Sequence, residues 1–194
     1  MKKLGLISLA IGLPALLFAG CKLTRAGYES AEYRVLKKDG RFELREYPTL
    51  TLASTPMESV DPNKGRSFNR LFGYIQGGNE ADQKISMTTP VLITAGPTNR
   101  AMNFVVPRQV VGAGVPKGTN EAVQIDSLAG GRFAVYRFSG SWSEVSQEKA
   151  LTQLRDWMTG QRLEGVGEPV VAFFDPPFTP SFLRRNEVML RFRE

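Results

Sequence analysis

Twice along its 194 residues the chain lays out one plan, and a plan stated twice restricts the fold more than any single motif does. In the first statement, Tyr33–Lys38 and Phe42–Tyr47 read as strands around an Asp39-Gly40 turn. The second of these runs alternates apolar and polar residues, and Asp-Gly between such runs is a strong hairpin signal. A third strand is expected at Leu50–Met57. Asp61-Pro62 then reads as a helix start, with Asp as cap and Pro at the first helical position. The helix carries Phe68, Leu71, Phe72 and Ile75 at i, i+3, i+4 and i+7, and Gly77-Gly78 ends it. Extended segments follow at Ile85–Thr94 and Met102–Pro107.

The second statement begins after a Gly- and Pro-rich stretch, 107–120. Val123–Asp126 and Arg132–Ser139 are strands around a Gly130-Gly131 turn, and Ser141 with Glu144 makes a capping-box pattern. The helix that follows runs to about Met158, with Val145, Leu151, Leu154 and Met158 as its inner face and Gly160 as its stop. Strands return at Val170–Phe174 and Glu187–Phe192. Strands and helices do not alternate regularly, so the expectation is an α+β protein with an antiparallel or mixed sheet, not a doubly wound one. The arrangement expected is a curved, barrel-like sheet of two pseudo-symmetric halves flanked by two helices.

Residues 1–20 read as an address. Lys2 and Lys3 precede an apolar run, Leu4–Ala19, that ends in the small residues Ala19 and Gly20 directly before Cys21. A charged start, a short apolar region and a small-residue cleavage site describe a secretory signal. The run is about 16 residues, short of the roughly 20 needed to span a bilayer. Cleavage before a Cys resembles the bacterial lipoprotein signal, which implies lipidation at Cys21. The division expected is therefore signal peptide 1–20, tether 21–32 and a single domain 33–194. The same resemblance implies, from Lys22 rather than Asp after the Cys, an outer-membrane location facing the periplasm.

Absences narrow the chemistry. The chain has no His, so it can hold no Ser-His-Asp triad, no imidazole base and no His-ligated haem. A single Cys forms no internal disulfide and no CxxC site. The formal charge of +6 becomes +4 once Lys2 and Lys3 are removed with the signal. The remaining Lys and Arg are scattered without an aromatic-interleaved stripe, which excludes a nucleic-acid partner.

Four stretches carry a resemblance: Glu43–Pro48 (ELREYP), Leu71–Asn79 (LFGYIQGGN) continuing to Ile85–Val91 (ISMTTPV), Phe138-Ser139-Gly140, and Asp175–Val188 (DPPFTPSFLRRNEV). In this order and spacing they resemble the SOUL haem-binding family, over about Tyr33 to Phe192. The resemblance implies a twisted antiparallel β-barrel flanked by two helices, built as a duplication and related in shape to GyrI-type effector-binding domains. It also implies haem or a related tetrapyrrole as ligand, held in an apolar groove around the first helix. By position that groove is Phe68, Leu71, Phe72 and Ile75 with Met87 in the following loop, and Arg66 and Arg70 face the propionates. Where some members carry Lys or Arg after the position of Phe72, this chain has Gly73. Without His, axial ligation falls to Tyr74 or Met87, or the ring is held by packing alone.

Each of these residues has a plain structural reading too. A stripe at helical spacing serves as a core face, and Met87–Pro90 serves as a rigid lead into a strand. Asp175–Pro180 reads as a stiff loop, and Arg184–Glu187 as a ligand clamp or as an Arg–Glu brace. The functional reading is a lipid-anchored, monomeric, non-enzymatic carrier or buffer of haem. The alternatives are a binder of another hydrophobic molecule or a protein-interaction module.

Overall fold

The computed structural model describes residues 27–59, 65–95, 100–176 and 178–193. The lipidation position Cys21, the signal segment 1–20 and the Asp61-Pro62 helix start lie outside these residues.

The first strands are β1 (Glu29–Ser30), β2 (Arg34–Asp39), β3 (Phe42–Tyr47) and β4 (Leu50–Pro56), followed by helix α1 (Ser67–Ile75). β5 (Thr88–Thr89), β6 (Val91–Ala95) and β7 (Arg100–Val105) complete the first half. A short helix α2 (Arg108–Ala113) occupies the stretch expected to be a linker. β8 (Gln124–Leu128), β9 (Gly131–Phe138), helix α3 (Glu144–Gly160), β10 (Glu164–Phe173) and β11 (Asn186–Arg193) form the second half. Strand β10 starts at Glu164, ahead of the expected Val170. Its register shifts between Val166 and Val170, and Gly167 has a φ of 74°, so a bulge lets the strand carry Gly167 and Pro169.

Nine strands form one antiparallel sheet in the order β2-β3-β9-β11-β10-β6-β7-β4-β8, while β1 pairs separately with β5 in parallel. The sheet is open, which corrects the barrel expectation. Closure would require β2 to zip onto β8, and both strands are almost wholly exposed, with polar or charged residues such as Lys37, Lys38, Gln124 and Asp126. Such edges repel further pairing.

The pseudo-symmetry is real but its strands are exchanged. Outward from the central β6–β10 seam the order is β6-β7-β4-β8 on one side and β10-β11-β9-β3 on the other. Thus a strand from each half joins the opposite half: β3 pairs with β9, and β8 with β4. The β2–β3 hairpin forms as expected around Gly40. The Gly130-Gly131 turn does not make a hairpin, because it carries the chain across between halves. An added Cβ at Gly130 would lie 2.8 Å from Thr49 N and 2.9 Å from Tyr47 O. Only glycine fits where the two crossings touch.

Both helices pack on one face of the sheet. Beneath α1 lie Leu71, Tyr74 and Ile75 against Ile93, Met102 and Phe104. Beneath α3, Ala150, Leu154 and Met158 meet Ala134, Val188 and Leu190. The opposite face buries Leu52, Leu92, Phe133, Val135, Ala172 and Met189 in a third core that includes no residue of α1 or α3. Two-sided burial explains the continuous apolar runs of β9, β10 and β11. Val145 was expected on the inner face of α3 but is exposed. It lies nine residues before Leu154, half a turn out of phase at 100° per residue. The cap of α3 is likewise Ser143, not Ser141: its hydroxyl accepts from Ser146 N–H at 3.0 Å, and Ser146 Oγ accepts from Ser143 N–H at 3.2 Å.

Candidate functional site

Helix α1 stops where two glycines allow it. Gly77, with φ of 115°, donates to Tyr74 O at 3.4 Å, and Gly78 donates to Gly73 O at 2.9 Å. This pair of bonds closes the helix in a Schellman turn. A Cβ at Gly78 would lie 2.8 Å from Gly73 O, so the turn requires glycine there. From Gly78 the chain enters an Asx-type turn, in which Asn79 Oδ1 accepts from Ala81 and Gln83 N–H.

The phase of α1 divides the expected groove. Ser67, Leu71, Tyr74 and Ile75 face the sheet, so Leu71 and Ile75 are core residues. Phe68 and Phe72 face out, 37% and 44% exposed, with their rings stacked at 5.9 Å and an interplanar angle of 13°. Phe68 also meets Phe104 edge-on at 5.5 Å. Met87 is half-buried against the core under α1, where the crevice it shares with Tyr74 and Ile75 holds about 10 Å³. No ligand enters there. Arg66 is exposed at the start of the helix. Arg70 pairs with Glu58 and donates to Pro56 O at 3.4 Å, which ties α1 to the end of β4. Gly73 is exposed, with open space where a side chain would stand. Tyr74 is buried and donates its hydroxyl to Pro116 O at 2.9 Å; burial pushes its pKa up. Its oxygen is therefore committed, which removes it as an axial ligand.

The outer residue Phe68 lines a cavity that the sequence reading did not delineate. About 310 Å³ lie between α1 and the loop after β10, floored by Val91, Met102 and Phe173 and walled by Phe68 and Trp142. Val91 and Phe173 are partners across the β6–β10 seam, so the floor lies at one end of that seam. Trp142 packs on Phe173 with ring centroids 4.8 Å apart. Asp175 and Arg184 edge the opening. Both are fastened: Asp175 Oδ2 accepts from Arg185 N–H at 2.6 Å, and Arg184 Nε donates to Thr179 O at 2.7 Å. Asn186, also in the lining, donates to Gly140 O at 3.0 Å and joins the loop to the segment bearing Trp142. The Trp in the short link before α3, and the alternation of Phe173 with Ala172 on β10, were the available sequence signals.

Residues 184–187 divide between the cavity edge and a brace. Arg184 edges the cavity, while Arg185 and Glu187 belong to a buried brace. Glu187, fully buried, accepts from Arg45 Nη1 at 2.7 Å, Arg45 Nη2 at 3.0 Å and Arg185 Nε at 2.8 Å. Arg45 also donates to Glu43 at 2.8 Å and to Tyr47 Oη at 3.0 Å, and its guanidinium covers the Tyr33 ring at 4.1 Å. Burial opposes the charge on Arg45, but the Glu187 carboxylate more than offsets it and holds the guanidinium pKa above its ordinary value. Burial likewise works against the Glu43 carboxylate, and Arg45 with Lys38 overcomes it, so the Glu43 pKa is held low. The brace fixes β3 to β11 and so sets the strand end from which Asn186 and Arg184 reach the cavity.

The cavity offers aromatic faces, a thioether from Met102 and a guanidinium at its edge, a combination suited to a flat apolar ring with acidic substituents. Among the described residues no cluster of three or more His, Cys, Asp or Glu could hold a bare metal ion.

Comparison with known proteins agrees with this reading of the fold. Heme-binding protein 1 of Xenopus tropicalis is 27% identical over 175 residues, which span 84% of this chain and 91% of that protein. The C-terminal domain of EcmrR matches with a TM-score of 0.58 at 12% identity, covering 84% of this chain and 98% of that domain. A hydrolase from Listeria innocua matches with a TM-score of 0.54 at 11% identity, covering 81% and 94%. At such identities the two structures share the fold with this chain. The family description "SOUL heme-binding protein" matches residues 28–191, nearly the whole of the described fold, and on that match the chain belongs to the SOUL heme-binding protein family.

Proposed function

We propose that the protein binds haem or a related tetrapyrrole in the cavity beside α1, as a non-enzymatic carrier or buffer. The observation that carries this reading is Phe68, which lines the aromatic cavity and stacks on the exposed Phe72. One face of a macrocycle would rest on Phe68 and Phe72, while an edge enters between Phe68 and Trp142. At about 310 Å³ the cavity is at the small end of ligand pockets, so part of the ring stays on the surface. Arg184 would meet a propionate at the cavity edge, and Arg66 would meet one along α1. Packing would hold haem and an iron-free ring equally, without an axial ligand. Acylation at Cys21 would anchor a monomer to the outer membrane, facing the periplasm, with 21–32 as the tether. The relative's printed name, Heme-binding protein 1, supports the ligand class.

Haemin titration of the full-length chain, read by Soret absorbance, tests the proposal. Wild type is expected to saturate at one equivalent. Phe72→Asp, at an exposed position that leaves the core intact, is expected to weaken binding at least about tenfold without lowering Tm. Metal-free protoporphyrin should compete. Binding that is unsaturable, or indifferent to Phe72→Asp and to Trp142→Ala, would refute the site.

A further inference from the structure

A second cavity lies further along the same face of the sheet. Ile93, Val171 and Val188 are in-register partners on β6, β10 and β11, so they form a straight apolar row across three strands. Together with Leu151 of α3 they line a space of about 370 Å³. None of its lining residues is shared with the cavity beside α1, whose floor uses Val91 and Phe173, two positions along the same strands.

The polar rim of this second cavity is incomplete. It comprises Arg100 of β7 and, from the first turns of α3, Glu144, Gln147 and Glu148. The Arg100 guanidinium comes no closer to Glu144 than 3.7 Å, beyond hydrogen-bonding reach. Its Nη1 is buried and has no hydrogen-bond partner among the described residues. The side chain as a whole is 36% exposed, but this one buried donor costs free energy that an acceptor placed against it would recover.

We propose that this cavity binds small, uncharged, mainly apolar molecules through a carbonyl oxygen that accepts from Arg100 Nη1. The apolar row receives the body of such a molecule, and the oxygen completes the guanidinium. A carboxylate fits less well, because Glu144 and Glu148 already place two negative charges against one positive. A cationic ligand would meet Arg100 itself. A ketone, an ester and a tertiary amide all present the required acceptor.

Three compounds of nearly one shape separate the possibilities: acetophenone, ethylbenzene and benzoate, titrated into the full-length chain labelled at Ile, Leu and Val methyls. Acetophenone is expected to shift the Ile93, Val171 and Val188 methyls saturably, leave Val91 unmoved, and bind about tenfold more tightly than ethylbenzene or benzoate. Arg100→Met, which keeps the aliphatic stem, should bring acetophenone to the ethylbenzene level while Tm is retained. If that variant folds poorly, Arg100→Lys should still weaken acetophenone, since an ammonium cannot reproduce the planar donor. Equal binding of acetophenone and ethylbenzene would overturn the proposal. So would tighter binding of benzoate, indifference to both Arg100 variants, or shifts confined to Val91. Haemin binding at Phe68 and Phe72 is measured separately, and neither result depends on the other.

Discussion

Replacing Glu187 by Gln keeps side-chain volume and opens no cavity, so its effect isolates the charge at the centre of the brace. In the native structure this fully buried carboxylate accepts three hydrogen bonds, at 2.7, 3.0 and 2.8 Å, from Arg45 and Arg185. Gln removes the negative charge and turns an NH₂ toward guanidinium donors that have no acceptor to spare. Breaking a buried pair from one side costs about 3–5 kcal/mol, because an uncompensated charge stays inside. Glu43 still pairs with Arg45 at 2.8 Å, which points to the lower end, about 3 kcal/mol. For a chain of this size that corresponds to a Tm fall of roughly 6–12 °C. Urea unfolding with an unchanged m-value would report the loss as stability alone. The double replacement Arg45→Met, Glu187→Met should recover only part of it, since the pair itself exchanges well for apolar residues while Arg185 and Glu43 each lose a partner. A cost below about 1 kcal/mol for Glu187→Gln, or single costs that simply add in the double variant, would refute the account of the brace.

The crossing of the two halves predicts that Gly130→Ala is destabilising by about 1–3 kcal/mol, because its Cβ would press on backbone atoms of Tyr47 and Thr49 that cannot swing aside. Gly73→Ala, exposed on α1 with nothing within 4 Å, should instead be neutral or stabilising by about 1 kcal/mol, and urea midpoints distinguish the two. Burial raises the pKa of Tyr47 and Tyr74 above the ordinary 10.0, so both phenols stay neutral in the fold while the unfolded chain ionises them. Their contribution is complete below pH 10 and is lost as the pH rises through the raised values. Phenolate absorbance compared with Tyr47→Phe and Tyr74→Phe variants should show these two tyrosines ionising above the ordinary 10.0 in the native state, and their ionisation at that value without unfolding would contradict it.

Much of the fold was legible because its signals are local. Asp39-Gly40 reports the β2–β3 hairpin, and Gly77-Gly78 reports the end of α1. The phase of α1 was not legible in the same way. Phe68, Leu71, Phe72, Tyr74 and Ile75 cover more than one face of a short helix, and only the sheet beneath decides that Leu71, Tyr74 and Ile75 go in. At Gly130-Gly131 a close turn looks alike in sequence whether the chain returns to its neighbour or crosses to the other half. The barrel expectation failed at β2 and β8, whose polar residues were visible but whose positions as edges were not. Asp175 and Arg184 were flagged within one stretch, and nothing in that stretch says that Trp142 and Phe68 stand opposite.

By itself the sequence determined the duplicated order of strands and helices, the absence of His-based chemistry and the residues that mark the family. Turn, cap and periodicity signals act within about ten residues, so they survive in the chain without its partners. The exchange of β3 and β8 between halves, the outward turn of Phe68 and Phe72, and both cavities were decided by tertiary structure alone. Each depends on which distant strands meet at the β6–β10 seam, and that choice follows from burying both sides of the central strands at once.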